Sequence, residues 1–165
     1  MLLWNSSVSG NCYKVRLLLA QLAIPYERRE VDWYLADGTP YAPGDPFERA
    51  QVLQWLFFEQ YSHEPYIAVA RFWLAYSGEP ARYASRMDEK RRGGYAALDA
   101  MEGHLEGRTF LVGDRYSIAD VSLYAYTHVA GEGGFELDPY PAVRAWLERV
   151  AAQPGHVPID DPGGS

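Results

Sequence analysis

The sequence predicts a small α/β unit of βαβ form followed by an all-helical domain, and three observations point to it. Two short strand-like segments, Leu2 to Trp4 and Glu27 to Val31, flank a stretch in which Val15, Leu18, Leu19 and Leu22 repeat at i, i+3, i+4 and i+7. That spacing lines one face of a helix, which Ile24-Pro25-Tyr26 ends. Asp37-Gly38-Thr39-Pro40 and Pro43-Gly44-Asp45-Pro46 then make a turn-rich stretch, and the segments after it read as helices. Residues 1–40 are therefore expected to form one unit and residues 41–165 another.

In the second unit, Asp45 is placed to cap a helix with Pro46 at its first position and Glu48 three residues after the cap. Phe47, Val52, Leu53, Trp55, Leu56, Phe57 and Phe58 make that helix apolar on more than one face, which predicts a central or interface position. Pro65 should kink or interrupt it, Ile67 to Ala75 should continue it, and Gly78-Glu79-Pro80 should break it. A second long helix is expected over about Ala81 to Leu105, strained near Gly93-Gly94, with Leu98, Met101 and Leu105 facing the core and Gly107 closing it. Phe110-Leu111-Val112 reads as an apolar connector. Ser117-Ile118-Ala119-Asp120 has the spacing of a reciprocal cap, with Tyr116 placed to staple onto Val121. A last helix should start near Pro141, carry Val143, Trp146, Leu147 and Val150 on one face, and stop at Pro154-Gly155.

Composition narrows the function. A length of 165 residues allows one ordinary domain, or one with a partial second. The net charge of −7, with Lys and Arg dispersed except for Lys90-Arg91-Arg92, argues against a nucleic-acid partner. The basic run reads as a solvated helix face. Cys12 is the only cysteine, which excludes an internal disulfide and suits a reducing compartment, so a cytoplasmic location is expected. Lys14 to Ile24 imitates a signal peptide but begins well inside the chain and is followed by no small-residue cleavage site. No segment is long enough to span a membrane, and Asn5-Ser6-Ser7 is read as a chance glycosylation match. His63-Glu64 starts like a zinc-protease motif, yet Ile67 stands where the second histidine is needed. His104 and His156 stand apart in sequence, so no metal is expected. Gly131-Glu132-Gly133-Gly134 lacks the preceding strand of a dinucleotide-binding fingerprint, and there is no Walker-type loop.

The chemistry-bearing place is Ser9-Gly10-Asn11-Cys12, where the first helix opens. The first N–H groups of a helix have no partner inside it, and the helix dipole adds a positive field, so a carboxylate, phosphate or thiolate is stabilised there.

These features together resemble the cytosolic glutathione transferase family, in its bacterial type. Ser9-Gly10-Asn11-Cys12-Tyr13-Lys14-Val15-Arg16, Ile24-Pro25-Tyr26-Glu27, Trp33-Tyr34-Leu35-Ala36, Gln51-Val52-Leu53-Gln54-Trp55, Phe110-Leu111-Val112-Gly113-Asp114 and Ser117-Ile118-Ala119-Asp120 carry the likeness, which covers nearly the whole chain. It implies an α/β thioredoxin-like N-terminal domain, incomplete in this sequence, and an all-α C-terminal bundle of about five helices. It also implies glutathione as co-substrate, a small hydrophobic electrophile such as an aryl halide, epoxide or activated alkene, detoxification chemistry, and a homodimer. The dimer is expected through the Pro46 helix and its neighbour, since Trp55, Phe57 and Phe58 offer more apolar surface than one bundle needs.

One departure qualifies the likeness. In the family, the second half of the N-terminal domain supplies a strand led by a cis-proline, another strand, and a helix that starts with a Glu/Gln-Ser pair. Here Val31-Asp32 runs straight into Trp33-Tyr34-Leu35, so the parts that bind the cysteinyl backbone and the γ-glutamyl group are absent. A genuine deletion and residues lost from the sequence are both open, and the fit of both flanks to an intact family member favours the second.

Within the resemblance, Ser9 occupies the position whose hydroxyl donates to the glutathione sulfur and favours its thiolate. Asn11 could donate through its amide, and Cys12, in the first turn of a helix, could form a mixed disulfide with glutathione. The bland alternatives are a turn residue for Ser9 and a small buried side chain for Cys12. Tyr61, His63, Tyr66, Trp73, Tyr124 and His128 are candidates for the electrophile pocket, against the alternative that such aromatic stripes are simply core. Two other functions are carried alongside conjugation: a non-catalytic binding or scaffold module, and a glutathione-dependent thiol reductase acting through Cys12.

Overall fold

The computed structural model describes residues 2–5, 19–20, 24–30 and 43–159. The chain divides into two compact units, Met1–Asp37 and Gly38–Ser165.

In the first unit, β1 (Leu2–Asn5) pairs in parallel with β2 (Glu27–Glu30), with Leu2 opposite Glu27 and Asn5 opposite Glu30. Parallel neighbours need a crossover connection, and Leu19 and Ala20 within it are helical. Leu19 is buried and Ala20 exposed, as one apolar helix face requires. The Ile24 N–H donates to the Leu19 carbonyl at 2.9 Å, just ahead of Pro25.

The second unit contains five α-helices among the described residues. Helix α1 (Pro46–Phe58) is capped by Asp45, whose Oδ1 accepts from the backbone N–H groups of Phe47 at 3.0 Å and Glu48 at 2.9 Å. The Glu48 carboxylate is engaged by the Arg115 guanidinium. Pro65 does not break the helical path. A π-helical turn (Glu59–His63) links α1 to α2 (Glu64–Arg71), with Pro65 in the first turn of α2. A proline has no N–H and its ring crowds the carbonyl four residues back, so widening the preceding turn lets the axis continue. A second π-helical turn (Phe72–Tyr76) follows, and the chain then breaks at Gly78, whose φ is +70°.

The next helix starts later than its periodicity suggests. Pro80–Arg86 is a 3-10 segment, and α3 runs over Met87–Leu105 without interruption. Gly93 and Gly94 mark close approach rather than strain. A Cβ on Gly93 would lie 2.2 Å from the Tyr66 ring, and one on Gly94 2.3 Å from the Phe135 ring. Leu98, Met101 and Leu105 of α3 are buried as expected, and Gly107, at φ +71°, follows its end.

Phe110, Leu111 and Val112 are a buried connector without strand pairing. They lead to α4 (Ile118–Thr127), then a 3-10 turn (Ala130–Gly133) and α5 (Pro141–Ala151), which ends ahead of Pro154-Gly155. Tyr116 packs on Phe110, with ring centroids 5.8 Å apart, while Val121 stays largely exposed. Trp146, Ile67, Leu123 and Val143 complete a core shared by α2, α3, α4 and α5. No helix among the described residues is long and apolar enough to cross a membrane.

Candidate functional site

Ser9, Asn11 and Cys12 lie outside the described residues, and so does the join between Asp32 and Trp33. The described chemistry is that of the helical unit.

Its candidate aromatic residues fall into separate places. Tyr61 is 79% exposed on the π-helical turn after α1. Tyr66 and Trp73 are brought together by Lys90, whose ammonium lies 5.3 Å from the Tyr66 ring centre and 5.6 Å from that of Trp73. Trp73 also stacks on Tyr83 at 4.7 Å with the rings nearly coplanar in orientation.

Tyr124 and His128 meet face to face, their centroids 4.4 Å apart, because residues four apart on a helix share a face. His128 Nδ1 lies 2.6 Å from the Tyr124 carbonyl, which can only accept, so this nitrogen carries the proton. His156 joins the pair through Nε2, 2.9 Å from the Tyr124 hydroxyl. The Tyr124 phenol is pushed above its ordinary value by burial, so it stays protonated at neutral pH. Its link to His156 was hidden in the sequence, where 32 residues separate the two.

His63 is fully buried, with Nε2 2.9 Å from the Thr127 hydroxyl. That hydroxyl spends its single proton on the Leu123 carbonyl at 2.6 Å, so it accepts from His63 Nε2–H. Nδ1 is therefore a bare acceptor, and it is buried without a partner among the described residues. Burial holds the imidazole neutral, lowering its pKa to about 4. His104 likewise donates inside the unit, from Nε2 to the Leu111 carbonyl at 2.8 Å, with its ring against Trp55. Among the described residues no three His, Cys, Asp or Glu side chains converge as a metal site would require.

The helical unit carries an open hollow of about 460 Å³ on α2 and the turn after it. Glu64, Arg71, Phe72, Trp73, Tyr76 and Tyr126 contribute to its wall. Of the aromatic candidates read from the sequence, Trp73 is in that wall, whereas Tyr61, His63, Tyr66, Tyr124 and His128 are not among its lining residues. The spacing of Phe72 and Tyr76, four apart and both more than half exposed, is the sequence signal that could have drawn attention to it.

Comparison with known proteins places this helical unit. A family model for the glutathione S-transferase C-terminal domain matches residues 66–154, more than half of the chain. The chain belongs to the glutathione S-transferase family. A crystal structure of a glutathione S-transferase from Pseudomonas fluorescens Pf-5 is 43% identical, with a TM-score of 0.75 over 97% of this chain and 98% of that one. Glutathione S-transferase 2 of Anopheles gambiae is 32% identical over 85% of this chain, and the disulfide-bond oxidoreductase YfcG of Escherichia coli is 28% identical over 78% of it. The chain spans 61% and 60% of the length of those two relatives. Membership fixes the fold class. The β1–β2 unit is an incomplete thioredoxin-like N-terminal portion, and α1 to α5 form the C-terminal transferase bundle.

Proposed function

We propose that this protein is a glutathione S-transferase that adds the glutathione thiolate to small hydrophobic electrophiles. The observation that carries the reading is the match of the helical unit to the transferase C-terminal domain, together with a 43% identical transferase structure aligned along 97% of the chain. In the proposed mechanism, residues 1–40 present Ser9 at the start of the first helix. The Ser9 hydroxyl donates to the glutathione sulfur and, with the helix terminus, lowers the thiol from its ordinary value of about 8.5. The thiolate then attacks the electrophilic carbon and a leaving group departs, or a ring or double bond opens. Asn11 is the second candidate donor. The helical unit, residues 41–165, supplies aromatic surface for the electrophile, with Tyr66, Trp73, Tyr124 and His128 as its candidate residues, whereas His63 is fully buried and is withdrawn from that surface.

The reading extends to a cytoplasmic homodimer. Leu53 and Phe57 of α1 and Tyr61 just beyond it are exposed apolar side chains spaced four residues apart along one helical run. Such a row is what a self-complementary interface would cover. Light scattering should give twice the mass of one chain, and a single-chain mass would count against the dimer.

A second reading is favoured by the YfcG relative, whose name describes a disulfide-bond oxidoreductase. The Cys12 thiolate would then attack the glutathione sulfur of a mixed disulfide and expel the substrate thiolate, and a second glutathione thiolate would attack the resulting Cys12–glutathione disulfide, freeing Cys12 and leaving as glutathione disulfide. Calorimetric titration with glutathione separates binding from a scaffold role, since heat at one equivalent per chain supports either enzyme and silence supports a non-catalytic module. Cys12→Ser divides the two enzymes. Conjugation to 1-chloro-2,4-dinitrobenzene should survive that change, and disulfide reduction should be lost.

A further inference from the structure

The basic run Lys90-Arg91-Arg92 divides in the structure. Arg91 and Arg92 are exposed, as a solvated helix face requires, whereas the Lys90 side chain is only 13% exposed and turns inward from α3. Its ammonium lies over two rings at once, 5.3 Å from the centre of Tyr66 and 5.6 Å from that of Trp73. Tyr66 belongs to α2 and Trp73 to the π-helical turn after it, and residues seven apart stand on one face of a helical run. The ion-pair partner of Lys90, Glu89 at 3.6 Å, is 62% exposed, and pairs of that kind contribute little. Ring faces attract a cation more strongly where water is partly excluded.

Both rings are fixed from other sides as well. Gly93, one turn beyond Lys90, leaves room for Tyr66 to lie against α3, since a Cβ there would stand 2.2 Å from the ring. Trp73 stacks on Tyr83 at 4.7 Å and carries the Arg86 guanidinium 4.9 Å from its centre. With its faces so covered, Trp73 is 7% exposed, yet it forms part of the wall of the hollow. Lys90 differs from Tyr83 and Arg86 in spanning both segments, so it ties the ring in the wall to the helix behind it. A wall ring held in place beforehand has little rotamer freedom left to lose when a flat aryl compound packs on it. Lys90 is not among the lining residues, so it acts through Trp73.

We propose that Lys90 is a positioning residue for the electrophile: reaching from α3 over the rings of Tyr66 and Trp73, it fixes Trp73 in the wall of the hollow before the electrophile arrives. The proposal rests on the conjugation reading above for what packs against that wall. Lys90 touches no reacting atom, so its loss weakens binding of the electrophile and leaves the chemical step alone.

The first test is steady-state kinetics with 1-chloro-2,4-dinitrobenzene at saturating glutathione. Lys90→Met keeps the length of the side chain and removes its charge; it should raise KM at least about threefold with kcat within about twofold of wild type. Lys90→Arg should recover most of that loss, because a guanidinium also binds ring faces. Glu89→Gln, which removes the exposed ion-pair partner, should change neither constant. Should Lys90→Met fold poorly, Lys90→Gln takes its place. The second test needs no turnover: fluorine NMR of the 5-fluorotryptophan-labelled chain without glutathione, with the Trp73 signal assigned through Trp73→Phe and 1,3-dinitrobenzene as the probe. The Trp73 signal should shift on binding, with Kd at least about threefold weaker in Lys90→Met and restored in Lys90→Arg. A chain that shows this order of affinities but no turnover contradicts conjugation and leaves the role of Lys90 standing. Equal KM and Kd in wild type and Lys90→Met, a Lys90→Arg variant as impaired as Lys90→Met, or a wild-type Trp73 signal that the probe does not move overturns the proposal.

Discussion

Asp120 shows how one buried carboxylate can tie three stretches of chain together. Its Oδ1 accepts from Leu111 N–H at 3.0 Å and Trp146 Nε1–H at 2.9 Å, and its Oδ2 accepts from both the N–H and the hydroxyl of Ser117 at 2.9 Å. Asp120→Asn replaces one of these oxygens by an amide nitrogen that faces donors. It should cost about 3 kcal/mol in urea unfolding, since buried donors lose their acceptor; a loss under about 1 kcal/mol would contradict this role. His63 makes stability depend on pH. The imidazole titrates near 6.5 when unfolded and about 4 when folded, so below pH 6.5 the unfolded chain takes a proton that the folded chain refuses. The stability from neutral burial is complete above pH 6.5 and falls away toward pH 4, by about 3 kcal/mol in all. Glu59 titrates in the opposite sense, because its raised carboxyl binds a proton first in the folded state. The difference between wild type and His63→Leu isolates the histidine. Urea midpoints that fall equally in both proteins over that pH range would remove His63 from the account.

At the scale of elements, α3 tests whether a glycine pair is a weakness or a fit. Alanine favours a helix over glycine by up to about 1 kcal/mol, so Gly103→Ala, where the new Cβ meets nothing within 4 Å, should stabilise the protein slightly. Gly94→Ala would drive a methyl group into the buried Phe135 ring, and Gly93→Ala into Tyr66. Both should lower stability by at least about 1 kcal/mol despite their better propensity. Thermal melts of the three variants check the opposite signs, and a stabilised Gly94→Ala would refute the close packing. Much of this architecture was legible in the sequence. Asp45-Pro46, Ser117 to Asp120 and Gly107 announce helix ends because capping is local chemistry, set by a few adjacent residues. The two π-helical turns were not legible, since they arise where the long helix accommodates Pro65 and the packing against α3 and α4. Gly93-Gly94 was read as strain because the sequence does not disclose which rings lie over a glycine.

For the whole molecule, the family is shown by the match of the helical unit, while the motifs from Ser9 to Arg16 and from Trp33 to Ala36, and with them the thiol chemistry of Ser9, Asn11 and Cys12, lie in the other unit. The aromatic candidates illustrate the limit of sequence spacing. It correctly puts Tyr124 beside His128, but it cannot bring His156 onto the Tyr124 hydroxyl or send His63 inward to Thr127, because those contacts depend on how helices cross. The conjugation reading places a sulfur anion beside the Ser9 hydroxyl, and the ionisation of bound glutathione tests this most directly. Ultraviolet difference titration of the thiolate band should show bound glutathione ionising at least one pH unit below the free thiol in the wild-type protein, and at the free-thiol value in Ser9→Ala. A bound thiol that titrates like free glutathione, or an identical downward shift in Ser9→Ala, would contradict the mechanism.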